Sequence, residues 1–243
     1  MPQPPRTARV ATAQTRGVRA RRLHPLVAVV PVGALLLAAC SADGTREPPR
    51  PAAVIDAARA GDEDEVRRLV DAGADPDAAD ELGRTAVTHA AYAGHAAVVR
   101  TLVTAGADID LQDTTRTNAL LSTGETGFVD VLEEVLRAEP DLTRTNRFGG
   151  TALIPAADRG HVAVVRRLLE TEIDVDHVND LGWTALLEAV ILGDGGLKHT
   201  EIVRLLVEAG ADVSITDREG VTPLQHARSA GYDEIVAVLA SAT

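Results

Sequence analysis

From Val54 onward the chain alternates short apolar clusters with short polar stretches, and the clusters carry a helical period. Val98, Val99, Leu102 and Val103 share one helix face. The same holds for Val131, Leu132, Val135 and Leu136, for Val164, Val165, Leu168 and Leu169, and for Ile202, Val203, Leu205 and Leu206. Gly106-Ala107-Asp108 and Gly210-Ala211-Asp212 follow two of these clusters, and Gly73-Ala74-Asp75 closes an earlier one. Glycine there ends a helix in a left-handed cap and aspartate opens the next turn. The polar stretches repeat as well. Asp80-Glu81-Leu82-Gly83-Arg84-Thr85-Ala86 returns as Asn146-Arg147-Phe148-Gly149-Gly150-Thr151-Ala152, as Asn179-Asp180-Leu181-Gly182-Trp183-Thr184-Ala185 and as Asp217-Arg218-Glu219-Gly220-Val221-Thr222-Pro223. With a weaker copy at Asp113, the starts at 80, 113, 146 and 179 are 33 residues apart, and the last step, to 217, is 38. That period predicts stacked units of two helices each, since one unit alone is too small to bury its apolar face.

The amino terminus has a different pattern. An apolar run from Leu26 to Ala39, interrupted by Pro31 and Gly33, ends at Leu37-Ala38-Ala39-Cys40. It is shorter than the roughly 20 apolar residues of a spanning helix. Arg6, Arg9, Arg16, Arg19, Arg21 and Arg22 precede it without any acidic residue. A basic segment, a short apolar run and small residues before a cut predict a secretory signal over residues 1–39. Leu23-His24-Pro25 after Arg21-Arg22 matches a twin-arginine signal poorly, so general secretion is expected. The last four residues resemble the lipobox of bacterial lipoproteins, which implies that Cys40 is lipidated and becomes the first residue of the mature chain. Cys40 is the sole cysteine, so no internal disulfide competes for it. Residues 40–50 lack apolar periodicity and read as a flexible tether. The expected location is therefore the outer face of the cell membrane.

Thr222-Pro223-Leu224, Gly94-His95, Gly160-His161 and the recurring Gly-Ala-Asp resemble the ankyrin-repeat family over residues 51–243. The resemblance implies an all-α solenoid of helix-turn-helix units joined by β-hairpin loops. Units are expected near 51–79, 80–112, 113–145, 146–178, 179–216 and 217–243. Thr at the start of each first helix is expected to act as its N-cap. The family's Thr-Pro-Leu-His becomes Thr85-Ala86-Val87-Thr88, Asn118-Ala119-Leu120-Leu121, Thr151-Ala152-Leu153-Ile154 and Thr184-Ala185-Leu186-Leu187. No copy keeps the His, so its side-chain hydrogen bonding is expected to be absent. Glu139-Pro140-Asp141 replaces Gly-Ala-Asp in the third unit, which should be the least regular and the softest. The extra residues of the fifth unit fall at Asp194-Gly195-Gly196-Leu197-Lys198, in a loop between its helices.

Composition narrows the function. Aromatic residues are 2% of the chain, so the core must come from Ala, Val and Leu. The net charge of −12 understates the acidity of the mature region, because the signal holds six arginines, and nucleic acid is excluded as a partner. His95, His161 and His199 occupy one repeat slot, where the resemblance implies a structural tie. No metal spacing such as H-E-x-x-H is present. Asp75, Asp77 and Asp80, like Asp108, Asp110 and Asp113, recur with the repeat and read as turn and capping residues. Gly193-Asp194-Gly195-Gly196 lacks the Lys-Ser/Thr ending of a phosphate loop. No serine sits in Gly-x-Ser-x-Gly, so no catalytic residue, no metal and no cofactor is expected.

The family implies that hairpin tips and the solvent side of the first helices form one concave binding face. Here that face would carry Leu82, Arg84, Tyr92, Arg147, Phe148, Asp158, Arg159, Trp183, Ile191 and Leu192. Trp, Tyr and Arg there suit interface anchors. The expected role is a membrane-anchored, non-catalytic scaffold, monomeric, that binds an exported protein, with the acidic field favouring a basic patch. The alternative is a protein that binds a small ligand or divalent ion through the acidic turns or the 194–198 insertion.

Overall fold

The computed structural model describes residues 50–242. The signal segment, Cys40 and the first part of the tether lie outside the described residues. Twelve helices follow one another in six pairs: α1 (Pro51–Ala60) and α2 (Glu63–Asp71), α3 (Ala86–Ala93) and α4 (Ala96–Thr104), α5 (Ala119–Thr126) and α6 (Val129–Leu136), α7 (Leu153–Asp158) and α8 (Val162–Leu169), α9 (Ala185–Ile191) and α10 (Leu197–Glu208), α11 (Pro223–Ala230) and α12 (Asp233–Ser241). The first helices pack on one another in chain order as one layer, and the second helices form the other. The expected all-α solenoid is what the chain forms. Its hairpins are tight turns: each Asx amide bonds across, as in Asp80 N–H to the Arg84 carbonyl at 3.0 Å and Asn179 N–H to the Trp183 carbonyl at 3.0 Å. Among the described residues the only β-pairing is the single antiparallel bridge Ala79–Thr85.

The core lies between the layers. Val98, Val99, Leu102, Val131, Leu132, Val135, Val164, Val165 and Leu168 supply it from the second helices, and Ala90, Ala91, Ala156, Ala157 and Ala189 line the first helices. Small side chains let the first helices approach closely, and Gly124 marks the tightest point. A Cβ there would sit 2.2 Å from the Ala152 carbonyl oxygen.

Four first helices start as expected, with Thr85, Asn118, Thr184 and Thr222 side chains accepting from the third helical amide. The fourth unit departs. Thr151 makes no cap, and among the described residues its buried hydroxyl has no hydrogen-bond partner. Pro155 explains this, because it has no amide hydrogen to bond the Thr151 carbonyl and disfavours helical geometry at Ile154. As a result α7 has only 6 residues.

The expected loss of the hairpin-to-helix tie is corrected by the structure. The residue one position further supplies it: His89 Nε2 donates to Asp80 Oδ2 at 2.9 Å, and His226 Nε2 donates to Asp217 Oδ2 at 2.7 Å. In the fifth unit Asn179 Nδ2 donates to Glu188 Oε1 at 2.7 Å. The third unit is irregular as expected. Arg116 (φ 59) and Glu139 (φ 52) hold left-handed conformations that Gly149 and Gly106 hold in other units.

The fifth-unit insertion is only partly a loop. Leu197 and Lys198 add a turn to the start of α10, making it 12 residues long. His199 pins the segment, with Nε2 donating to the Asp158 carbonyl at 2.9 Å and Nδ1 lying 2.8 Å from Asp194 Oδ1. His95 and His161 likewise donate to the Arg59 and Glu125 carbonyls at 3.2 Å, so this slot ties the second, fourth and fifth units to the ones before them.

Candidate functional site

Hairpin tips and first-helix ends expose what packing leaves unused. Each tip is built by one Asx side chain that accepts two amides: Asn146 Oδ1 takes Phe148 N–H at 2.9 Å and Gly150 N–H at 3.0 Å, and Asn179 Oδ1 takes Leu181 and Trp183. Tips also bond to one another, as Asp180 N–H does to the Phe148 carbonyl at 2.9 Å. The residue that carries the first of the two bonded amides is thereby held outward. Leu82 is 55% and Phe148 52% exposed.

Two adjoining cavities open on this face. The first, about 210 Å³, is lined by Phe148, Ile154, Pro155, Leu181 and Leu192 with the polar groups Glu125, Asn146, Asp158, Arg159, Asn179 and Glu188. The second, about 290 Å³, is lined by Arg84, Tyr92, Thr115, Thr117, Glu125, Asn146, Arg147, Phe148 and Arg159. They share Glu125, Asn146, Phe148 and Arg159. Of the ten residues expected on the face, Arg84, Tyr92, Arg147, Phe148 and Arg159 meet in the second cavity, and Asp158 and Leu192 join Phe148 and Arg159 in the first. Leu82, Trp183 and Ile191 line neither. Trp183 is half-buried.

The electrostatics are uneven. Glu188 is 7% exposed, and its carboxyl is pushed up to about 7 by burial and by the Asp158 charge, against the Asn179 hydrogen bond. The Tyr92 hydroxyl donates to Glu125 Oε2. Burial and that acceptor push the phenol up to about 12, so it stays protonated. The Arg84 guanidinium lies 5.2 Å from the Tyr92 ring centroid and bonds Asp113 Oδ2 at 2.9 Å. Arg147 lies 4.8 Å from the Phe148 ring centroid. Neither lining holds His, Ser, Cys or Lys, and the mixture of arginines, carboxylates and apolar side chains suits recognition of charge and apolar surface.

Glu125, Leu181 and Glu188 were not anticipated. The signal was available: Glu125 shares a repeat position with Tyr92 and Asp158, and Leu181 shares one with Leu82 and Phe148. Stacking the repeats in register would have found both. Glu188 shares its position with His89 and reads in sequence as a hairpin tie only.

The acidic turns are occupied by backbone. Asp75 Oδ1 accepts the Asp77 amide at 2.9 Å, Asp77 Oδ1 accepts the Asp108 amide at 2.7 Å, and Asp176 Oδ1 accepts the Asp212 amide at 2.9 Å. Their carboxylates stitch consecutive units. Among the described residues no group of three His, Cys, Asp or Glu side chains is placed to hold a metal ion.

A family model described as ankyrin repeats (3 copies) matches residues 119–217, and another described as ankyrin repeats (many copies) matches residues 54–103. The ankyrin repeat protein YahD of Escherichia coli (strain K12) is 49% identical over 55 residues, which are 23% of this chain and 27% of YahD. The chain thus spans about a quarter of that curated relative. The crystal structure of an ankyrin repeat domain from Acinetobacter baumannii AYE is 44% identical with a TM-score of 0.75, covering 78% of this chain and 96% of that one. The ankyrin repeat protein EF0377 is 38% identical with a TM-score of 0.76, covering 79% of this chain and 98% of that one.

Proposed function

The chain belongs to the ankyrin-repeat family, and from that premise we propose that it is a non-catalytic scaffold that binds another protein through its hairpin tips and first helices. The observation that carries this reading is the pair of adjoining cavities around Phe148, where large apolar and Arg side chains stand exposed on a face that the core does not need. A few clustered aromatic and Arg anchors can supply most of the binding energy of such a surface. Leu82, Trp183 and Ile191 complete the proposed contact surface at its margins.

The same proposal places the scaffold in the bacterial envelope. Residues 1–39 serve as a lipoprotein signal, Cys40 carries the lipid, residues 40–50 are the tether, and residues 51–243 form the binding domain, monomeric at the outer face of the membrane. The sequence pattern of the amino terminus supports this part. Two or more acyl chains would anchor it stably. Incorporation of labelled fatty acid into wild type and none into Cys40→Ser is the expected outcome, and equal label in both would overturn the anchor.

Binding is tested by crosslinking from native membranes with wild type and a Phe148→Ala, Leu192→Ala variant. Both side chains are about half exposed, so the variant keeps its fold. An exported protein retained by wild type and lost by the variant is expected. Identical captures would remove this face from the function.

A further inference from the structure

In a chain with 36 acidic residues against 24 basic ones, guanidinium groups should find carboxylates, and among the described residues most do. Arg67, Arg100, Arg137, Arg166 and Arg167 each pair with a glutamate. The second cavity breaks that pattern. Arg84, Arg147 and Arg159 converge on it. Arg84 is balanced by Asp113, with Nε and Nη2 donating at 3.1 and 2.9 Å. Among the described residues Arg147 and Arg159 have no ion-pair partner, Arg147 lying instead against the Phe148 ring. Every charge facing the cavity can be counted: Arg84 with Asp113 cancels, and Glu125, held by the Tyr92 hydroxyl, offsets one of the two remaining arginines. One positive charge is left over.

We propose that this cavity is a subsite for a single carboxylate of an acidic protein segment, resting on the scaffold reading and naming the chemistry that its partner presents. The Arg147 guanidinium carbon lies 4.8 Å from the Phe148 ring centroid, a cation–π contact beside the cavity. Arg159 enters from the end of α7 beside it. Two planar donors fit a carboxylate bidentately. Thr115, Thr117 and Asn146 complete a polar wall. A monoanion matches the residual charge. A phosphate dianion would overcompensate it beside Glu125. The subsite therefore selects an acidic side chain against the field of the whole chain, which repels acidic proteins elsewhere on the surface.

The test titrates the full chain with a dye-labelled hexaglutamate peptide and, separately, with the hexalysine counterpart. The glutamate probe is expected to bind, and Arg147→Ala with Arg159→Ala to weaken it by about tenfold or more. Arg228→Ala, an exposed arginine remote in sequence from the cavity, is expected to change it less than about twofold. Equal losses in both variants, or binding of hexalysine alone, would overturn the subsite. Displacement of the probe by inorganic phosphate but not by acetate would reassign it to phosphate. The two readings fail separately: capture lost in Phe148→Ala, Leu192→Ala yet unchanged in the arginine variant would leave the scaffold standing and remove the carboxylate assignment, whereas capture unchanged in both would remove the scaffold.

Discussion

At the residue scale, two positions reverse the effect that their type would ordinarily have. Replacing glycine by alanine inside a helix usually stabilises by about 1 kcal/mol. At Gly124 the added Cβ would meet the Ala152 backbone, which cannot swing aside as a side chain can. Gly124→Ala is therefore expected to destabilise by about 1–3 kcal/mol, read by chemical denaturation. Glu188 is the second case. Burial and the Asp158 charge raise its folded pKa to about 7. The folded state thus holds the proton more tightly than the unfolded one, and stability falls as pH rises from the ordinary carboxyl range through about 7. Glu188→Gln keeps an acceptor for Asn179 and removes the charge. It should stabilise by about 1–2 kcal/mol near pH 8, after allowance for solvent screening, and by almost nothing near pH 4. Thermal unfolding of both forms across that range checks the sign.

At the element scale, the repeat units share a plan but differ in how well the sequence serves it. The third unit has Arg116 and Glu139 where other units place glycine in the left-handed region. Glu139→Gly should relieve that strain and, less the entropy that glycine adds to the unfolded chain, stabilise by about 0.5–1 kcal/mol in equilibrium unfolding. The same strain makes the third unit the expected site of fastest amide exchange. Slower exchange there than in its neighbours would refute this. The fourth unit loses its N-cap to Pro155 instead. His95, His161 and His199 compensate at the other end of the first helices by bonding the preceding unit's carbonyls. Stability is thus shared between neighbours, as in a linear array.

At the scale of the whole molecule, charge and stacking dominate. A net charge of −12 opposes compaction through self-repulsion, while the cores between consecutive units favour it. Raising ionic strength from about 10 to 150 mM should therefore raise the melting temperature, since the Debye length shrinks to about 8 Å. The same salt should weaken the glutamate probe, because its attraction to Arg147 and Arg159 is screened. Opposite responses of stability and binding would separate the global field from the local one.

The 33-residue period, the helical clusters and the Gly-Ala-Asp turns were enough to establish the solenoid, because each is a local pattern that neighbouring units copy. Most of the exposed face was legible for the same reason, as Phe148, Arg147, Arg159 and Leu192 stand at positions that packing leaves free. Tertiary structure decided what depends on approach between units. It decided that Glu188 lies buried next to Asp158, that Gly124 faces backbone, and that part of the insertion lengthens α10. It also decided that Arg84 of the second unit meets Arg147 and Arg159 of the fourth around one cavity, whereas Trp183 does not join them. Periodicity gives the face on which a residue stands, but distances between side chains of different units depend on how closely the helices stack, and that is set by backbone contacts no single repeat encodes.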